Sequence, residues 1–536
     1  MKTFAALLLL LLLFCHKWQQ LNAASILCLI GTAQHYNPGW TKPFFEALAG
    51  RGHSLTVIGT QPDLGLPHIR QIFLPNEHDV VKKHYTNDMG HYRHHWDIKQ
   101  LLIWYEALLG GCRSITEANF YKTFDMTALK YDLIIYDATF SMDCLLTTLP
   151  RYRSVPVLGL SGGKFTTDLI DLVQGEDTIS AATIPHFIGR LPITMNYWQR
   201  IQNHVMYLAE SFIHWAVVQP VLNGMLESGV SSIKAQVVLL NTHPVLDYVQ
   251  NMPPNVIEVG GLHIRAESEP LPFSLQEFIE RFSEGIVYIN LPHIELMYGL
   301  GLKAVESMIK EFSQLGFLWN VNNLKDLQLS ESLYNLRAIS VFDNMQQNIL
   351  AQSNVKAFLT HGDSFGIQEA IYNAVPIIVL PLLMDQMNNG ERVQERYLGV
   401  CISAKNFSVD SFSAALKQII RDEIYLEELR QAQLNFRTRP AKPVDLAIWY
   451  AEQLVSQPDI FKQSSVPESS QRSYFVRKSL DVLSLPLLFF LFFFANVVLA
   501  IMQSIVTDNQ KKTAKQVKKL NGIGKEQSSD KEQKED

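Results

Sequence analysis

Between Phe358 and Asn389 the chain reads FLTHGDSFGIQEAIYNAVPIIVLPLLMDQMNN, a stretch whose polar residues could hold an anionic ligand. An imidazole at His361 and the turn residue Gly362 precede a helical pattern over Ser364 to Asn373, which carries Gly366 and Glu369. An apolar strand pattern, Val355 to Leu359, leads into the turn. A second, Ile377 to Leu380, ends in Pro381 and a polar loop with Asp385 and Gln386. Such a strand–helix–strand unit binds ligands beyond the carboxyl ends of its strands, and the free amides of its helix attract phosphate. Asp363 stands at that amide-rich end. As a helix N-cap, aspartate stabilises by roughly 1 kcal/mol over alanine. As a like charge beside a phosphate it costs about 1 kcal/mol when screened and several when desolvated.

The elements that must position this unit recur along the chain. The segment SILCLIGT, a polar turn AQHYNPGW, the helical spacing of TKPFFEALAGRGH and the strand SLTVIG make a β-loop-α-β start. Its strands are apolar throughout, as in parallel sheets covered on both faces. Further strand patterns follow at YDLIIYDATF and VPVLGLSG, then a helical one from Tyr197 to Leu226. The stretch NMPPNVIEVGGLHIRAESEPLP is rich in Pro and Gly and reads as an interdomain linker. After it the alternation restarts with GIVYINL, GFLWNV, AISVF, VKAFLT and PIIVLP. The pattern predicts two doubly wound α/β domains over 24–250 and 284–455, joined by a linker over 251–283, with the ligand cleft between them.

The 536 residues, 47% apolar and 18% charged, suffice for two or more cores, and a net charge of −6 argues against a nucleic-acid partner. Residues 1–23 read as a secretory signal, MKTFAALLLLLLLFC followed by small residues at Ala23 and Ala24. Residues 482–505 form a membrane span, with 456–481 as the juxtamembrane segment. Residues 506–536 make a charged, disordered tail whose Lys511, Lys512, Lys515, Lys518 and Lys519 place it in the cytosol, so the body is lumenal. Asn406 in NFS is then a glycosylation acceptor. Of the remaining cysteines, Cys28, Cys112, Cys144 and Cys401, none is spaced for metal, and Cys28 and Cys401 lie in apolar strands as packed thiols.

On RGHSLTVI, PPNVIEVGGLHI and THGDSFGIQEAIYNAVPIIVLPLLMDQMNN, in that order, the chain resembles the animal membrane-bound UDP-glycosyltransferases, with the two-domain GT-B fold. The resemblance implies an inverting, metal-independent transfer of glucose or glucuronic acid, from UDP-glucose or UDP-glucuronate as co-substrate, to a hydroxyl of a small lipophilic acceptor. No permanently bound cofactor is implied. A single-pass place in the endoplasmic reticulum membrane is, and a homo- or hetero-oligomer is compatible. On the family's pattern His361 contacts the diphosphate, with Gly362 and Gly366 beside it, Glu369 the ribose, and Asp385 and Gln386 the sugar hydroxyls. Gln346 falls in the preceding donor segment. The catalytic pair is a histidine base in the loop after the first strand and an aspartate that orients it, here Asp137. Counted from the first strand the base is His35; counted back from RGH the position falls on Asn37.

Three departures fall on the donor side. The chain has HGD where the family has His-Gly-Gly. FDNMQQNIL offers Phe342 or Asp343 for the usual stacking Trp and Met345 for a proline, and LPH (Leu291 to His293) replaces a Gly-Ser phosphate turn. They leave open a catalytically weak relative that binds lipophilic ligands or partner subunits. The cluster His84, His91, His94 and His95 has partial zinc spacing but lacks the Glu of the metalloprotease pattern and a fourth ligand, which argues against a metal.

Overall fold

The computed structural model describes residues 23–30, 39–59, 69–73, 97–117, 130–139, 154–173, 179–225, 234–291, 300–321, 333–339, 345–382, 384–403, 407–459, 461, 476 and 480–532. They fall into two compact units, a body through Val466 and a C-terminal unit from Pro467.

Two parallel sheets build the body. The first holds β1 (Ser25–Ile30), β2 (Ser54–Gly59), β3 (Arg70–Phe73), β4 (Leu133–Asp137), β5 (Val157–Ser161), β6 (Val237–Leu240) and β7 (Val256–Glu258), in the order β3-β2-β1-β4-β5-β6-β7. The second holds β8 (Ile286–Asn290), β9 (Gly316–Asn320), β10 (Leu336–Ile339), β11 (Val355–Thr360), β12 (Ile377–Val379) and β13 (Gly399–Cys401), in the order β10-β9-β8-β11-β12-β13. Unbroken apolar runs such as SILCLI and LIIYD suit such sheets, because successive side chains enter the core on opposite faces. In each sheet the strand order reverses once, between β1 and β4 and between β8 and β11. Loops leaving the two central strands there diverge and open a crevice at their carboxyl ends. Leu29 pairs with Tyr136 at the first reversal, and Thr360 with Asn290 at the second. Cys28 and Cys401 are free thiols in these sheets.

Six helices bear on the site and on the C-terminal unit: α1 (Lys42–Gly50), α2 (Tyr197–Ile213), α3 (Ser364–Asn373), α4 (Gln386–Glu395), α5 (Pro443–Ser456) and α6 (Leu480–Glu532). Two elements of the body differ from the domain limits read in the sequence. The first sheet continues through β7, inside the stretch taken as linker, because the Pro-rich turn before it returns the chain alongside β6. Helix α5, inside the span assigned to the second domain, packs on the first sheet instead. Its Ala447, Ile448, Ala451 and Leu454 are buried with Ile26, Phe44, Leu48 and Leu133, and its Glu452 meets Arg51 at 3.3 Å and His53 at 3.5 Å. The C-terminal unit departs as well. Helix α6 runs unbroken past the span to Glu532, so the segment read as disordered continues the helix. Its stretch Ser484–Lys518 contains an 18-residue window of mean hydropathy 2.6, long and apolar enough to cross a membrane.

The two sheets are held together through α3. Gln368 is fully buried; its Oε1 accepts from the Gly261 amide at 2.7 Å and its Nε2 donates to the Asn241 carbonyl at 2.8 Å. On α4, Arg392 donates to the carbonyls of Leu246 and Asp247 at 3.0 and 3.2 Å, and its guanidinium lies 4.3 Å from the centre of the Tyr248 ring. Gln368→Ala leaves a buried amide and a buried carbonyl without partners. It is expected to cost on the order of 3 kcal/mol, read as a lower denaturation midpoint of the intact protein, whereas a midpoint equal to wild type would mean water replaces both bonds.

Candidate active site

The polar residues of the stretch converge on the N-terminus of α3. Gly362, which links β11 to that helix, has φ +92°, and a Cβ there would lie 2.5 Å from Val379 Cγ1, so backbone angle and space both call for glycine. Asp363 follows in extended backbone and caps α3, its Oδ1 accepting from the Gly366 amide at 2.8 Å. The side chain therefore occupies one of the amides an anion would otherwise meet. His361 is buried between β11 and β12, its Nδ1 donating to the Leu380 carbonyl at 3.1 Å. That bond fixes the ring and assigns the proton to Nδ1, because a carbonyl only accepts.

Glu369, a turn and a half along α3, accepts from Gln346 Nε2 at 2.6 Å. Burial pushes its carboxyl up to about 8, opposed by the Gln346 bond and reinforced by the charge of Asp363. His263 Nε2 lies 3.9 Å from it but is no cation. That nitrogen donates to the Phe365 carbonyl at 3.2 Å, Nδ1 faces the Asn241 amide, and burial pulls the imidazole down to about 4. Both groups are neutral near pH 7, so the contact is not an ion pair.

Asp385 and Gln386 sit where α4 begins. Asp385 Oδ2 accepts from Asn389 at 3.0 Å and from Ser364 at 3.4 Å, and Gln386 Oε1 accepts from the Leu382 amide at 3.0 Å. Burial lifts Asp385 to about 6, the Lys164 cation and the Asn389 bond oppose it, and Asp363 adds to the rise. Asp363 itself is raised by burial against the pull of its own cap bond. The three carboxyls thus share one electrostatic environment, with Asp363 acting on both others.

From the first sheet, Asp137 ends β4, buried, its Oδ1 accepting from the Thr139 amide at 3.1 Å. Thr139 Oγ1 in turn accepts from Gly162, and a Cβ on Gly162 would lie 2.5 Å from Phe365 Cζ of α3. The Trp40 ring lies 5.6 Å from the same phenyl ring, tilted by 40°. The carboxyl ends of β4 and β5 therefore meet the N-terminal turn of α3. His35 and Asn37, Phe342 and Asp343, residues 292–293 of LPH, Asn406, the four clustered histidines and the signal segment through residue 22 lie outside the described residues.

Sequence reading missed Lys164. It follows Gly162-Gly163 directly after β5, pairs with Asp247 at 2.5 Å, and draws Asp385 toward ionisation. A lysine next to a Gly-Gly turn at a strand's carboxyl end was the available signal. It also lines a small cavity of about 30 Å³ with Phe165, Phe187, Tyr207, Glu210, Tyr248 and, from α4, Asn388.

Two parallel sheets, each reversing its strand order once, are thus joined at the capped helix α3. The family model for UDP-glucoronosyl and UDP-glucosyl transferase matches residues 69–520. The chain belongs to that family. UDP-glucosyltransferase 2 of Dactylopius coccus is 24% identical over 469 residues, 84% of this chain and 87% of that protein. UDP-glucuronosyltransferase 1A8 of Rattus norvegicus is 25% identical over 360 residues, and the match spans 65% of each chain. Among solved structures, glycosyltransferase VinC in complex with DTDP aligns with a TM-score of 0.53 at 14% identity, over 81% of this chain and 100% of that one. CalG4, the calicheamicin glycosyltransferase, aligns at 0.51 and 15%, over 82% and 100%. These likenesses establish the GT-B fold for this UDP-glycosyltransferase family member, a glycosyltransferase with a UDP-sugar co-substrate.

The raised carboxyl of Glu369 gives stability a pH slope. Between its ordinary 4.5 and about 8, the unfolded chain has released this proton while the fold retains it. Stability therefore falls as pH rises through that window and levels off above it. Glu369→Gln is expected to flatten this part of the pH dependence of the denaturation midpoint; an unchanged slope would place the proton elsewhere.

Proposed function

We propose that this UDP-glycosyltransferase family member transfers glucose or glucuronic acid from UDP-glucose or UDP-glucuronate to a hydroxyl of a small lipophilic acceptor, with inversion and without a metal. The observation that carries the proposal is the convergence of His361, Glu369, Asp385 and Gln386 on α3, near the carboxyl end of the central strand β4, where Asp137 lies. On this reading Glu369 accepts the ribose hydroxyls and the pair at the start of α4 accepts and donates to the sugar. With Nδ1 of His361 donating to Leu380, a phosphate oxygen would be met by a proton on Nε2, that is, by the imidazolium. That cation and the amides of α3 stabilise charge on the departing UDP.

In the reaction the acceptor oxygen attacks the anomeric carbon as its hydroxyl proton passes to the His35 imidazole. The bond from that carbon to the phosphate oxygen breaks, and its electron pair leaves with UDP. Asp137, buried at the end of β4, orients the histidine and stabilises the imidazolium. The long apolar helix α6 supports a single-pass protein of the endoplasmic reticulum membrane with its body lumenal. His35→Ala should abolish turnover with nucleotide binding intact while Asn37→Ala changes little; the reverse result would relocate the base position to Asn37 and leave the loop without a histidine base.

A second reading has its own observation. Asp363 is a carboxylate at the anion-binding end of α3, coupled to two further carboxyls. This favours weak donor binding and a protein that binds lipophilic ligands or partner subunits. Asp363→Asn keeps a capping side chain and removes the charge, so UDP affinity by calorimetry should rise about five-fold, or about 1 kcal/mol, with the gain shrinking as salt is added. No heat from wild type or variant at millimolar nucleotide would select the second reading.

A further inference from the structure

Helix α2 presents two opposite faces. Asn203, Met206, Glu210 and Ile213 are buried in the body. On the other side Tyr197, Trp198, Ile201, Val205, Leu208 and Phe212 are exposed, from 39% for Ile201 to 75% for Trp198. At 3.6 residues per turn these six positions fall within about 100° of the helix circumference, so they form one continuous stripe. Trp215, in the π-helical turn His214–Val218 that follows, is 71% exposed and extends the stripe, its ring 6.0 Å from Phe212. Tyr197 and Trp198 pair at 5.4 Å at the opposite end.

An apolar patch this large is not left to water without a partner, and three observations select one. Aromatic residues with a polar edge stand at both ends of the stripe, the composition that settles at the level of lipid headgroups. The exposed surface of α2 carries one charge, Arg200, because the second charged residue, Glu210, is buried. A low-charge face of this kind suits a zwitterionic or neutral lipid surface without electrostatic help. The chain also carries its own apolar helix in Ser484–Lys518, which tethers the body to a bilayer and raises the local concentration of lipid around it. Within Tyr197–Gly224 an 18-residue window of mean hydropathy 1.2 is itself long and apolar enough to cross a membrane. Its buried face, with the buried carboxyl of Glu210 and a capping box at Asn196 and Gln199, ties it to the body instead.

We propose that the outer face of α2, from Tyr197 to Trp215, is a docking surface that rests on the lipid bilayer in which the chain is anchored. The helix lies along the membrane surface with its aromatic ends at the headgroups and Ile201, Val205 and Leu208 toward the acyl chains. The proposal rests on the membrane reading of α6, and its test separates the two. The full-length protein is reconstituted in phosphatidylcholine vesicles that contain a photoactivatable phosphatidylcholine, and labelled peptides are mapped by mass spectrometry. Label is expected on the span within 484–506 and on peptides covering 197–215. Leu208→Glu with Phe212→Glu should remove the second label and spare the first. Where that pair disturbs folding, Trp198→Ser with Trp215→Ser, both on exposed positions, should weaken the label on 197–215 with an unchanged denaturation midpoint. A labelled span with unlabelled 197–215 would overturn the docking surface alone, as would cross-linking of this segment to a second copy of the chain that grows with protein density. An unlabelled span would overturn the membrane reading and the docking surface with it.

Discussion

Everything in the body is referred to one buried amide. Gln368 lies in the middle of α3, fully enclosed, and joins that helix to the backbone just beyond β6 and just beyond β7 by a donor and an acceptor at once. The same helix carries the cap at Asp363, the carboxyl of Glu369 and the ring of Phe365, which fills the space left by Gly162. The register between the two sheets is thus set partly inside α3 and partly by Arg392 of α4.

That placement explains the electrostatics of the site. Burying α3 between two sheets removes water from its first turns, and three carboxyls in that environment resist ionisation. Asp363 is the unexpected member. As a cap it satisfies an amide that burial would otherwise leave unpaired; as a charge it holds protons on its neighbours. One side chain therefore exchanges some anion affinity for local order at the helix start.

Much of this was legible in the sequence. Helix α3 has the limits its pattern predicts, and the flanking strands of VKAFLT and PIIVLP lie where apolar runs between turn residues put them. The cap role of Asp363 followed from residue type and position alone. The limits of the domains were less legible, for a physical reason. Helix α5 has an ordinary amphipathic pattern, and nothing local says which of two apolar sheets its Ala447, Ile448 and Leu454 will cover. Likewise β7 is three residues long, too short for period-two alternation to stand out from a Pro-rich turn. Lys164 was missed because its importance lies in what it faces, Asp247 and Asp385, both distant in sequence.

Helix α2 stands between two environments. Its inward residues Tyr207 and Glu210 line the cavity beside Lys164 and Phe165, while its outward residues form the apolar stripe. A single helix, about 10 Å across, therefore carries both surfaces, so a displacement of α2 moves the stripe and that part of the cavity wall as one body.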